Sequence, residues 1–289
     1  MKTQKIILIL AILFSLAKMC YAQTAVDSTF IRIETKDGNE YLGQIVYQDS
    51  NQITLKTTNI GEISIQKIDI KSQEVIETPI FKEGKLWFSN PQSSRYFWSP
   101  NGFGLKQGQG YYQNIWVFWN QFSYGLTDNF SIGAGIIPLF LFGGGPTPVF
   151  LTPKISIPIE KDKINLGAGA LIGTVLGESE TGFGILYGLS TFGSRDNNVT
   201  VGLGYGYTGG EWANSPLINI NGMFRISQRS YFLTENYIIS SGGENLVMLM
   251  LGGRWIIKSA ALDYGFVIPA GSDIGAFVAI PWLGITIPF

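Results

Sequence analysis

Four charged residues stand within otherwise apolar segments of the second half of the chain: Arg225, Glu235, Arg254 and Asp263. Their signs alternate along the chain, so ion pairing is the chemistry open to them. Two roles follow: an internal salt-bridge network that stiffens whatever wall carries them, or a charged constriction that selects ions. Other chemistries are closed. The 289 residues include no His, which removes imidazole as base, proton shuttle or zinc ligand, and with it the Ser-His-Asp triad. No paired carboxylates accompany a credible nucleophile, so catalytic residues, metal ligands and cofactors are all expected to be none. The string Gly202-Leu203-Gly204-Tyr205-Gly206 lacks the strand-to-helix setting and the Lys of a phosphate-binding loop, and reads as strand.

Composition indicates what must hold such charges. The chain is 45% hydrophobic and 14% charged, against about 25% charged in a typical soluble domain. Apolar surface therefore faces something other than water, and a membrane is the first candidate. The shortage is uneven: residues 23–99 hold 18 charged residues and 4 Gly, whereas residues 100–289 hold 20 charged residues and 32 Gly. Two domains are expected.

Residues 1–22 read as a signal peptide, with Lys2 and Lys5 before an apolar run and the small Ala22 at its end. The run is too short for a spanning helix, which needs about 20 apolar residues. Cys20 follows Met19, where a lipoprotein site calls for a small residue. Without residues 1–22 the chain keeps 17 basic against 21 acidic residues, a formal charge of −4, so nucleic acid is not an expected partner.

Residues 28–75 alternate apolar and polar positions in five short runs separated by turn residues such as Asp37-Gly38 and 59–61. This is the pattern of a small five-stranded β-barrel, and it resembles an Sm-like or SH3-like module. The resemblance covers this segment alone. Such modules often bind RNA, which an exported acidic chain does not favour, so a docking or spacer role in the periplasm is the reading. Residues 76–91, with Pro79, Gly84 and Pro91, read as a linker.

No later stretch has 18 uninterrupted apolar residues, so spanning helices are not expected there. The remaining membrane architecture is a β-barrel, whose signature is segments of about ten residues with period two, separated by turns. Residues 92–289 divide into twelve such segments, the first at 95–100, the second at 111–126 and the last at 276–289. The connections alternate between a tight polar class (127–129, 161–163, 195–198, 227–230, 258–259) and a glycine-rich class. The fold class is thus all-β, an antiparallel transmembrane β-barrel of about 12 strands preceded by the small β domain.

The last segment resembles the C-terminal strand of Gram-negative outer-membrane β-barrel proteins: Phe289 ends the chain, with Ile287, Ile285 and Leu283 at alternate positions before it. The segment 124–133 likewise resembles a strand-turn-strand common in such barrels. The resemblance spans residues 92–289. It implies an outer-membrane location, outer-membrane lipid and the barrel-assembly machinery as partners, and an assembly signal in those four residues.

Alternation then assigns faces. Arg225, Glu235, Arg254 and Asp263 are expected inside as a ladder near the periplasmic turns, with a bulge beside Glu235 because Thr234 and Asn236 would otherwise face lipid. Gly202, Gly204 and Gly206 fall inside too, either making room for a channel or admitting another chain segment. Ile137, Leu139, Leu141, Leu171, Met248, Met250, Ile280 and Trp282 are expected to line an apolar vestibule toward the outer opening. These features imply a porin-like channel for small solutes. The alternative is a non-conducting envelope scaffold whose periplasmic domain docks a partner protein. An outer-membrane lipid hydrolase is disfavoured, because barrels of that kind generally use a Ser and His pair.

Overall fold

A computed structural model describes residues 30–57, 60–76, 80–82, 85–138, 146–178, 182–241, 244–271 and 277–289. The chain divides into two compact units, Met1–Gly84 and Lys85–Phe289.

The first unit is a five-stranded antiparallel sheet of β1 (Phe30–Thr35), β2 (Glu40–Gln48), β3 (Gln52–Thr57), β4 (Gly61–Gln66) and β5 (Ile70–Ile76), in the order β4-β3-β2-β1-β5. Its alternation buries Ile31, Ile33, Ile53, Leu55 and Ile65 on one face. The turns are set locally. Gly38 takes φ 88° in the Asp-Gly turn, and Asp49 accepts the backbone N–H groups of Gln52 (2.8 Å) and Asn51 (2.7 Å). Those two bonds hold its carboxyl below the usual range. Between the fourth and fifth strands Lys67–Asp69 is a 3-10 turn that leaves Ile68 exposed, and pairing with β1 starts at Ile70. The short strands β6 (Ile80–Lys82) and β7 (Lys85–Trp87) follow.

The second unit is a closed antiparallel barrel. Its wall strands are β8 (Gly110–Ile115), β9 (Trp119–Gly125), β10 (Phe130–Ile136), β11 (Thr147–Leu151) continued by β12 (Lys154–Glu160), β13 (Ile164–Leu176), β14 (Phe183–Gly193) and β15 (Asn197–Thr208). The two-residue β16 (Glu211–Trp212) adds to the end of β15, and the wall goes on through β17 (Leu217–Arg225), β18 (Ser230–Ser241), β19 (Glu244–Ile257), β20 (Ala260–Gly271) and β21 (Ile280–Pro288). Both β11 and β12 pair with β10 and β13, so they are halves of one wall strand broken at Thr152-Pro153. Among the described residues the ring has twelve strands, closed where β21 pairs with β8.

Two expected strands are corrected here. Residues 95–100 contribute only an isolated bridge, Arg95 to Pro100, and lie outside the wall. Residues 111–126 are two strands, because the chain reverses at Trp116 and Val117 in the left-handed region, φ 50° and 69°. Neither residue type signals a turn, whereas most tight hairpins use Asn or Gly there. The expected bulge at Glu235 is absent: β17, β18 and β19 pair in unbroken register past it. Thr234 and Asn236 do face outward, and Asn236 bonds the Ile220 carbonyl (2.8 Å) and Thr234 Oγ1 (2.9 Å) there.

One end of the barrel carries the C-terminus and the tight turns at 127–129, 161–163, 195–198, 227–230 and 258–259; the other carries the Trp116-Val117 reversal and the remaining connections. Outward positions are predominantly apolar, including Phe122, Ile157, Ile172, Leu186, Val201, Ile220, Leu251, Phe266 and Ile285, and those that are polar, such as Thr234 and Asn236, are uncharged. Lys154, Arg225, Glu235, Arg254 and Asp263 all stand at inward positions of the wall.

Candidate functional site

The lumen is not empty. In its tight-turn half it contains the segment 90–106, whose Gln92, Tyr96, Phe97 and Asn101 are each at most 1% exposed. Bonds within the plug shape it locally. Pro91 and Pro100 deny it a ladder of its own. Asn101 closes a loop, donating N–H to the Ser94 carbonyl (3.1 Å) and Nδ2–H to the Ser93 carbonyl (2.9 Å). Tyr96 N–H donates to the Ser99 carbonyl (2.9 Å). The loop presents Tyr96 and Phe97 to Met223, Leu233, Met250, Ile256 and Trp282, which form the barrel's buried apolar cluster.

Backbone groups of such a loop need partners once buried, and the wall supplies them around the circumference. Gln113 on β8 donates to the Phe97 carbonyl (3.0 Å). Thr191 on β14 accepts Gly102 N–H (2.7 Å). Tyr96 OH donates to Asn198 Oδ1 (2.6 Å) and accepts from the Thr200 hydroxyl (2.7 Å) on β15. Asn219 on β17 donates to Ser99 Oγ (2.9 Å). Lys154 on β12 donates to the Phe103 carbonyl (2.7 Å).

The four predicted charges all point into the lumen, but they form no continuous ladder. Arg254 and Asp263, 0% and 2% exposed, pair directly (Nε to Oδ1, 2.7 Å). The same guanidinium holds the plug through the Gln92 carbonyl (2.7 Å), Gln92 Oε1 (2.9 Å) and the Tyr96 carbonyl (2.7 Å). Glu235 touches neither arginine; it accepts the N–H groups of Trp98 (2.9 Å) and Ser99 (3.0 Å) and the Tyr237 hydroxyl. Arg225 sits at the tight-turn rim, paired with Asp196 (3.0 Å) and donating to the Phe88 carbonyl (2.5 Å). Trp87 and Tyr231 rings lie 4.9 Å from its guanidinium. Arg225, Glu235 and Arg254 therefore reach the plug or the segment just before it, and Asp263 is tied to it only through Arg254.

Three further cations escaped the sequence reading. Arg95 belongs to the plug; Lys154 and Arg195 project onto it from β12 and the β14–β15 turn, Arg195 donating to the Gly104 carbonyl (2.9 Å) and Ser93 Oγ (3.1 Å). Burial pulls the Arg195 guanidinium below its usual range, and Asp162 partly offsets this. None of the three has a carboxylate within 4 Å among the described residues. Arg225 and Arg254 are thus paired with Asp196 and Asp263, whereas Arg95, Lys154 and Arg195 are held by oxygen atoms of the plug and not by carboxylates. Strand length gave no signal for the plug, because the wall strand β8 is as short as the six-residue run at 95–100.

Glycines answer the question of space. A Cβ on Gly102 of the plug would lie 2.5 Å from the Asn165 carbonyl oxygen, and one on Gly125 of the wall 2.1 Å from the Lys106 carbonyl oxygen. These positions admit another chain segment. At Gly202 the space is taken by the Asn219 and Leu189 side chains.

Above the plug, toward the long connections, lies a cavity of about 70 Å³. Of the expected vestibule residues Leu171 lines it, while Met250 and Trp282 pack into the apolar cluster instead, with Met248 against it. Ile137 is half-buried beyond the end of β10, Ile280 is exposed at the start of β21, and Leu139 and Leu141 lie outside the described residues. The cavity floor is the plug itself, through Trp98, Ser99 and Pro100. Leu283, Ile285, Ile287 and Phe289 share the outward face of the closing strand, and Gly110 and Phe289 exchange backbone bonds of 3.1 and 3.0 Å at the seam.

No family model and no curated protein matches this chain. Among solved structures, a KdgM porin matches with a TM-score of 0.46 and 7% identity, over 63% of this chain and 99% of that one. The outer-membrane expressed OmpT of Vibrio cholerae matches with a TM-score of 0.34 and 11% identity, over 91% and 95%. Its loop L8 deletion mutant gives 0.36 and 11%, over 90% and 96%.

Proposed function

We propose that the chain is a porin-like outer-membrane barrel for small solutes, closed by its own internal plug, with the tight turns and the N-terminal sheet on the periplasmic side. The membrane reading is supported by the wall itself: an apolar exterior with every mid-wall charge turned inward is the arrangement that lipid demands, since a charge facing lipid at mid-depth costs about 2–4 kcal/mol. Passage is supported by the polar lumen, lined by Gln121, Asn165, Thr191, Asn198, Thr200 and Asn221, and by a barrel of twelve strands, between filled eight-stranded and open 16-stranded ones.

The single observation that carries the closed state is the plug's attachment to the wall through Arg254 and Glu235. Solute passage requires that attachment to yield. Planar-bilayer conductance of the full chain beside a chain lacking residues 90–106 tests this: the full chain conducts rarely, and the shortened chain conducts steadily. No conductance from a folded shortened chain removes the channel reading and favours the scaffold alternative, which the separate N-terminal sheet supports.

A further inference from the structure

We infer that the cavity above the plug is a binding site for small aryl carboxylates. Arg95, 91% buried with 9% exposed, lines it. A guanidinium carries five N–H donors, yet only one of Arg95's has an acceptor among the described residues, the Trp98 carbonyl (2.9 Å). Glu235 does not take the others, because its oxygens already accept Trp98, Ser99 and Tyr237. The remaining donors open onto the cavity and are not sealed in protein, and the acceptor that best fits a planar donor fork is a carboxylate, which binds it bidentately.

The rest of the wall selects the ligand's body. Trp98 and Trp119 meet edge to face, with centroids 5.4 Å apart and planes at 89°, and Leu171, Ile185 and Leu217 complete an apolar surface. Aromatic rings pack favourably against such faces and edges. At about 70 Å³ the cavity holds several times the 10–15 Å³ that one water needs but about half of the roughly 150 Å³ that holds benzene, and it is open on one side, so the acid arm fits inside beside Arg95 with the ring at the cavity's mouth, and a long acyl chain is excluded.

This inference takes from the channel proposal only the cavity's position on the solute's route. Binding is measured at equilibrium on the full chain in detergent micelles, so it can fail while conductance stands, and conductance can fail while it holds. The probes are 3-phenylpropionate, its neutral amide and 3-phenylpropylamine, read by Trp98 and Trp119 fluorescence and by calorimetry. The carboxylate is expected to bind at least tenfold more tightly than the amide, and the ammonium not measurably. Arg95→Gln should bring carboxylate and amide within twofold of each other. Ile185→Trp, which fills the cavity without touching the plug's anchors, should abolish binding of both, and it decides the matter should Arg95→Gln not fold. Equal affinity for carboxylate and amide, a tenfold preference that survives Arg95→Gln, or binding unchanged in Ile185→Trp overturns the inference.

Discussion

Replacing Arg254 by Met separates two things that one side chain does. In the wall it compensates Asp263, which is 2% exposed; toward the plug it makes three contacts of 2.7–2.9 Å to Gln92 and Tyr96. Loss of the cation leaves a buried carboxylate unpaired, a cost of about 3–5 kcal/mol. The three plug contacts, at about 1.5 kcal/mol each for a charged donor, come to about 4.5 kcal/mol, or roughly a two-thousandfold shift in plug release. Arg254→Met with Asp263→Leu removes the orphaned carboxylate but not the plug loss, since buried pairs replaced by apolar residues are often neutral or stabilising. The urea midpoint of the barrel in liposomes reads the first effect. Labelling of Cys at position 94, in a Ser94→Cys, Cys20→Ser background, by an impermeant thiol reagent reads the second. The single variant should lower the midpoint and speed labelling; the double variant should recover the midpoint and still label fast. A double variant as unstable as the single one, or one labelled no faster than the parent, refutes the reasoning.

Other consequences are simpler. Tyr96→Phe deletes the bonds to Asn198 and Thr200 and should cost about 1–2 kcal/mol of plug retention, seen as faster thiol labelling at an unchanged wall midpoint. Gly125→Ala places a Cβ 2.1 Å from the Lys106 carbonyl oxygen, backbone that has no easy way to give, so the plug's C-terminal end should detach and become open to proteolysis near Lys106. Leu251→Arg puts a charge at an outward position midway along β19 and should destabilise the liposome-inserted barrel by about 2–4 kcal/mol, whereas Leu251→Ala should cost far less.

The wall was legible because period two survives in almost every strand, and the tight turns at 127–129, 161–163 and 258–259 carry residues that turns need. The number twelve came out of two misreadings that offset each other. The sequence Arg95-Tyr96-Phe97-Trp98 alternates like a strand, but its aromatics are buried by the barrel that surrounds them, a tertiary fact with no local signal. Trp116 and Val117 reverse the chain without a turn residue, so 111–126 looked continuous. The inward direction of Arg225, Glu235, Arg254 and Asp263 followed from alternation; their partners did not, because Gln92, Trp98 and Asp196 lie far from them along the chain. The inward glycines posed the right alternative, space or another segment, and only packing distances could choose between them.

The central claim is that passage depends on the plug moving. Ser99→Cys with Asn219→Cys, where the native side-chain tips are 2.9 Å apart, ties plug to wall by a bond that reduction breaks, in a chain whose one native Cys, Cys20, is replaced by Ser. Single-channel recording across a reductant change is the direct test. The account predicts silence while oxidised and openings after reduction. Equal conductance in both states would contradict it.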